Sequence, residues 1–557
     1  MQTADADVIQ MNKSPASVTF NNYGTLTSLN ASLGGSQAID FNAILSGSNT
    51  VNNYSTGLIQ ASEADAIRPG VNGAVNNDGT IKSTSTTGSS SDGIDAQTNS
   101  GVTIVNAASA GSGTGTGLIE GARHGITGGN TSLDSNGVPN VNNGAYTMSI
   151  TNNLGGTIQG DNGAGINIDG VNANEVVTIV NHGTITGTGV TADGDGIDVD
   201  GVVNLTNTGT IRSLNALNDT SEGVTVGGGT ITNSGTIEGS ISSPTGNTGT
   251  GRGITIAGVD KQTINSVDIT IPIQAPYAAT TITNQTGGLI KGDSDSGIAF
   301  TSALSSGFSH TITNQAGATI QGGGATAPAI VTAADNVTIN NAGTIDGSSS
   351  GKAITGGSGG LVVNITGASA SVLGDITGAA GAANTMTISA GAGNSFSYAS
   401  TIANFTTVSV LSGSFALNGQ LSLAFNGPTA GSASGYGQLV FNSAETFTLG
   451  NGSVLNLSLG FTPTVGEQFT LIDMVNGSTV INGAFGNLAD GSTYTQSGIS
   501  YLVSYEGGTG NDLVLTVTAI PEPATTAMIF AGLAGGIACV LRRRRAVAPP
   551  EQKIAGV

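Results

Sequence analysis

The sequence predicts an all-β chain: a parallel β-helix (solenoid), a small β-rich domain after it, and one apolar helix at the C-terminus. Three observations carry this. A phrase built as aliphatic residue, Asn, turn residue, Gly-Thr-Ile recurs through the body of the 557 residues. A second phrase, Gly followed by aliphatic residues alternating with polar ones, stands between its copies. No repeat carries apolar residues at helical spacing, whereas residues 524–541 form an uncharged run long enough to be a membrane helix.

Taken in order, residues 1–17 show neither a basic n-region nor an apolar h-region. Export of the body calls for a signal peptide, so a truncated or unusual start is expected. Residues 18–370 hold the repeat. Its clearest copies centre on Asn77, Asn181, Asn207, Asn233 and Asn341, as in Ile231-Thr232-Asn233-Ser234-Gly235-Thr236-Ile237. Longer copies lie at Asn152, Asn284 and Asn314, and weaker ones near Asn22, Asn53 and Asn106. Most intervals fall near 27 residues; two, of 46 and 51, signal an extra or expanded turn.

The second phrase reads Asp92-Gly93-Ile94-Asp95, Asp195-Gly196-Ile197-Asp198-Val199 and Glu222-Gly223-Val224-Thr225-Val226. Alternation buries one face of a short strand. Each repeat therefore makes three short strands, and a single coil buries too little to fold without neighbours. About eleven to thirteen coils at about 4.8 Å each predict a rod about 55–60 Å long. The repeated Asn is expected to tolerate a left-handed turn and to donate its amide to the Asn of the next coil, giving an internal ladder.

Beyond 370 the phrase fades and Phe and Tyr become denser, as at Phe441, Phe447, Phe469, Tyr501 and Tyr505. Residues 371–519 are read as a separate β-rich capping domain. Residues 507–515 look like one Ca²⁺-binding nonapeptide without a partner copy, which favours a tight turn into the last strand.

Composition narrows the function. Nine basic residues stand against 33 acids before Ile520, which excludes nucleic acid as a partner. The sole cysteine, Cys539, lies in the apolar run, so no disulfide supports the body. The densest acidic cluster is Asp193, Asp195, Asp198 and Asp200. With Ile197 and Val199 inward, Asp198 and Asp200 share an outer face, as Ca²⁺ or a pair of glycosidase carboxylates would need. Otherwise they are solvated turn aspartates. His124, His182 and His310 are isolated in sequence, and no His/Cys cluster suggests zinc. No cofactor is expected apart from that Ca²⁺, and no catalytic residue is assigned.

The C-terminal end orders Pro521-Glu522-Pro523, the apolar run 524–541, then Arg542, Arg543, Arg544 and Arg545, then a tail, 546–557. Basic residues stay on the cytoplasmic side, which puts the body outside. This block, 520–545, resembles the PEP-CTERM sorting signal of Gram-negative bacteria. The resemblance implies recognition of Pro521, Glu522 and Pro523 by an exosortase-type membrane protease. It also implies membrane anchoring before processing and a final place at the cell surface or in the extracellular matrix. The repeat body resembles autotransporter passengers and haemagglutinin-like adhesins. Together these imply an exported, non-enzymatic, adhesin-like or structural protein, with exopolysaccharide or other surface glycans as candidate partners. The alternative is a secreted β-helical polysaccharide lyase or glycoside hydrolase.

Overall fold

The computed structural model describes residues 1–521 apart from 87–90, 110–114, 131–144, 190–193, 216–219, 242–248, 259–260, 265–266, 271–274 and 478. A representative coil begins with a strand ending on the repeated Asn, Glu175–Asn181. A tight turn leads to the Thr-Ile strand Thr184–Gly189, and a loop to the Gly-Ile strand Ile197–Val199. The next Asn strand, Val202–Asn207, opens the following coil. Each strand pairs in parallel with its counterpart one coil on. Asn181 lies beside Asn207, Ile185 beside Ile211, and Ile197 beside Val224. The chain is thus a parallel β-helix with an Asn sheet, a Thr-Ile sheet and a Gly-Ile sheet.

Alternation along each strand sets what fills the interior. Residues of Glu175–Asn181 are in turn buried and accessible, and the buried ones stack in columns. Ile150, Ile179 and Leu205 form one column, Ile158, Ile185 and Ile211 a second, and Ile126, Ile166 and Ile197 a third; all are shielded from solvent. The close coil spacing explains the Gly of the Asn phrase. A Cβ on Gly209 would lie 2.1 Å from the Gly183 carbonyl oxygen, and one on Gly235 2.1 Å from that of Gly209.

Two expectations are corrected. First, residues 1–17 are part of the solenoid: Gln2–Ala4 pairs with Thr25–Leu29, and Ile9–Gln10 with Ile39–Asp40. Of the extra or expanded turn expected at the two long intervals, the structure shows the expanded one: each is a single coil. Asn106 bonds directly to Asn152 and Asn233 to Asn284, and the second of these coils holds an antiparallel hairpin, Lys261–Ile264 with Val267–Thr270.

Second, the boundary at 370 is not a break in the parallel pairing. Parallel pairing continues from Leu361–Thr366 through Thr385–Ser389, Thr407–Ser412 and Gln438–Phe441 to Gln468–Met474. What changes is the filling of one column. Beside Asn341 stands Ile365, followed by Ile388, Val410, Phe441 and Met474, all 0% exposed. The Asn phrase disappears because apolar side chains take over its slot, while the backbone path persists. The Thr-Ile sheet ends at Ser371–Leu373, and a sheet from Ser395–Tyr398 to Ile481–Asn482 follows it in chain order, with Phe396, Phe415 and Phe447 stacked inside. Among the described residues the Gly-Ile sheet has 16 strands. Sixteen coils make a rod of about 75 Å, longer than expected.

The cap is smaller than 371–519. Asp512–Ala519 pairs antiparallel with the last parallel strand of the Asn sheet, Gln468–Met474; Ile499–Gly507 pairs antiparallel with Asp512–Ala519, and Thr493–Gln496 with Ile499–Gly507. The hairpin covers what would otherwise be an open edge. Among the described residues no helix is long and apolar enough to cross a membrane. The expected span 524–541 lies outside the described residues, as do Glu522, Pro523, Arg542, Arg543, Arg544, Arg545 and the tail.

Candidate functional site

The asparagine ladder is unbroken from Asn22 to Asn341. Each Nδ2 donates to the Oδ1 of the Asn one coil on, at 2.8–3.0 Å. The amide protons also reach backbone oxygens. Asn207 Nδ2 lies 2.8 Å from Asn233 Oδ1, 3.3 Å from the Gly209 oxygen and 3.1 Å from the Thr236 oxygen. Asn77, Asn181, Asn207, Asn233 and Asn341 are all 0% exposed, so their amides serve the fold and touch no ligand. The last donor, on Asn341, reaches the Ser371 oxygen instead, because no Asn follows it. None of these asparagines has a positive φ, against expectation. Each ends a strand, and its slot calls for the amide rather than for a left-handed backbone.

A second interlock runs along the edge where the chain enters the Gly-Ile strand. Asp65 Oδ1 accepts from the Asp92 N–H (2.9 Å), and Asp92 Oδ1 from the His124 N–H (2.9 Å). His124 Nδ1 accepts from the Ala164 N–H (2.9 Å), and Asp195 Oδ1 from the Glu222 N–H (2.7 Å). The slot, two residues before the buried aliphatic, is always used to receive the next coil's backbone donor in these pairs. Sequence reading missed this interlock because the slot varies, holding Asp, His and Glu but also Ala164, Arg252 and Ser296.

Along this edge the oxygens of Asp65, Asp92 and Asp95 come within 4.8 Å of one another. They are already engaged. Arg68 lies 2.6 Å from Asp65 and 3.7 Å from Asp95, and Arg123 3.2 Å from Asp92. Burial pushes the Asp92 carboxyl up to about 6 and that of Asp95 to about 7. Arg252 bridges Glu222 (3.1 Å) and Asp295 (2.7 Å) in the same way. The arrangement fits charge-compensated crosslinks between coils better than a cation site.

Of the predicted acidic cluster, the described Asp195, Asp198 and Asp200 do not converge their carboxylates on one point. Asp193 lies outside the described residues. Asp195 is 4% exposed and gives its second oxygen to the Thr225 hydroxyl (2.8 Å). Asp200 Oδ2 accepts from the Gly170 N–H (3.0 Å). Among the described residues the converging carboxylates are Asp65, Asp92 and Asp95, not Asp195, Asp198 and Asp200.

A Ser, His and Asp set does assemble, but not as a nucleophile with its base. Asp335 accepts the Ser305 and Ser306 hydroxyls at 2.6 Å each and faces His310 Nε2 at 3.3 Å. His310 Nδ1 accepts the Thr280 N–H at 3.0 Å. Both hydroxyls point to the carboxylate and neither to the imidazole, so no serine is activated. His182, as expected, is exposed; its Nδ1 lies 2.6 Å from the Thr208 hydroxyl. At 507–515, Asp512 accepts the Met474 N–H (2.8 Å) and the Thr509 N–H (2.9 Å), which makes this stretch the turn into the last strand.

One buried group went unnoticed in the sequence. Glu175 is 1% exposed, faces inward beside Tyr146, and accepts the Val171 N–H at 2.7 Å. Burial pushes its carboxyl up to about 8.

No family model matches the chain, and no curated protein does. Among solved structures it is similar to the Haemophilus influenzae Hap adhesin at 12% identity, with a TM-score of 0.19. That similarity covers 90% of this chain and 64% of the adhesin, less than two thirds of its length.

Proposed function

We propose that this is an exported, non-enzymatic protein of the cell surface or extracellular matrix, adhesin-like or structural in role. The observation that carries the reading is where the buried polar chemistry goes. The ladder amides, Asp65, Asp92, Asp195, His124 and His310 all bond backbone groups or neighbouring side chains of the solenoid. Such a rod is a rigid spacer that presents its outer faces.

Pro521-Glu522-Pro523 is the proposed recognition site for an exosortase-type protease, with 524–541 as the anchor before processing and Arg542, Arg543, Arg544 and Arg545 as the stop. The last strand, Asp512–Ala519, is followed at once by exposed Ile520 and Pro521, so the motif starts at an accessible end. Mass spectrometry of the mature C-terminus tests this. Loss of everything beyond the motif is expected; an intact C-terminus in membranes would leave a plain anchor. Incubation with acidic and neutral glycans tests the rest. Turnover that disappears in Asp198→Asn would replace this reading with a lyase or hydrolase, and retention without turnover would support adhesion.

A further inference from the structure

The three outer faces of the solenoid differ in charge. The outward column of the Thr-Ile sheet carries Lys82, Glu120, Arg212, Glu238, Lys291 and Asp346. The Asn sheet carries none of these on its outside. From Ala16–Asn22 through Gln438–Phe441, every outward position of its described strands is uncharged, and the first acid is Asp473. In a chain of net charge −21, that is a whole face kept neutral.

Its two central columns, from Thr19 and Asn21 to Thr407 and Ser409, hold only Thr, Ser, Asn, Val and Ala. The array is most regular over three successive coils, where Thr230 and Thr232 register with Thr281 and Thr283, and these with Thr311 and Thr313. Between them Ile231, Ile282 and Ile312 point inward and are 0% exposed. Threonine is stiff at χ1, so each hydroxyl and methyl is held in place. Repeats are about 4.8 Å between coils and about 6.6 Å along a strand. Where Asn occupies a column, amides pair within the face, as Asn52 with Asn21 and Asn76 with Asn52.

We propose that this face binds ice. A two-dimensional array of hydroxyls and methyls, broken in places by amides, has spacings comparable to those of water oxygens on faces of hexagonal ice, and it orders its hydration water to match. Charged side chains would hold water shells out of register with that lattice, and they are confined to other faces. A single sugar chain would call for a cleft or a ring to stack on, and these two columns carry no aromatic residue. The proposal stands apart from the reading of export, which survives its failure.

The test is slow freezing of a dilute solution of the full chain in mild detergent, with the fraction of protein entering the ice as the readout. Wild type is expected to enter the ice. Thr230→Lys combined with Thr281→Lys and Thr311→Lys is expected to be excluded. Gln60→Lys combined with Gln159→Lys and Gln321→Lys, on the Thr-Ile face, is expected to behave as wild type. If the threonine variant does not fold, Thr281→Val with Thr283→Val keeps the shape, removes two hydroxyls and is expected to lower incorporation. Exclusion of wild type, or equal behaviour of variants on the two faces, overturns the proposal. So does retention on an insoluble neutral polysaccharide without entry into ice.

Discussion

Asn207 shows what one residue does here. Its amide donates to Asn233 and its carbonyl oxygen receives the Asn181 amide, both at 2.8 Å, in a site closed to water. Replacing Asn207 with Ala orphans one buried donor and one acceptor. A loss of about 1–3 kcal/mol per orphaned group is expected, read as a lower midpoint in denaturant. Glu175 acts in the opposite sense. Its carboxyl stays neutral in the fold up to about 8, but ionises near 4.5 when unfolded. The unfolded state therefore releases the proton first, and stability contributed by this site falls as pH rises between those values. Glu175→Gln should raise the melting temperature more at pH 8 than at pH 5; an equal shift at both would contradict the assignment. The ladder was legible because its phrase repeats with one invariant residue. Glu175 was not, since nothing near it in sequence says that the start of that strand is closed over.

At the scale of the element, the coil is set by close approach. Gly209→Ala places a methyl 2.1 Å from the Gly183 oxygen, so the strands must separate. Destabilisation of about 1–3 kcal/mol is expected from thermal melts. The same spacing explains what sequence reading located and what it lost. Three strands per repeat follow from alternation, and Ile185, Ile197 and Ile179 do point inward. The loss came at 370. Once Ile365 and Ile388 occupy the column of Asn341, the phrase vanishes although the pairing does not. A buried slot accepts either a self-satisfied amide or an aliphatic side chain, and text reports only the first. The Asp65, Asp92 and His124 interlock was hidden for a related reason: several side chains can receive one backbone N–H.

For the whole molecule, the antiparallel end covers the edge of the last Asn-sheet strand. Thr493–Gln496, Ile499–Gly507 and Asp512–Ala519 close the last coil. A chain ending at Met474 should expose Gln468–Met474 as an open edge and aggregate, visible as growing light scattering; a stable monomer would show that the hairpin is no cap. The charge pattern also exists only at this scale. Lys82 and Glu120 are 38 residues apart in the chain yet form an ion pair across neighbouring coils, and the neutral Thr and Asn columns draw on strands spread over hundreds of residues.

The sequence by itself determined the solenoid, the ladder and the order of the C-terminal block, because each is a local phrase repeated or laid out contiguously. Only the tertiary structure decided how many coils there are, where the cap begins, and that Asp195 and Asp200 serve backbone donors while Asp65, Asp92 and Asp95 converge. Those outcomes depend on register between coils, which brings together residues about 27 positions apart without marking any one of them in the text.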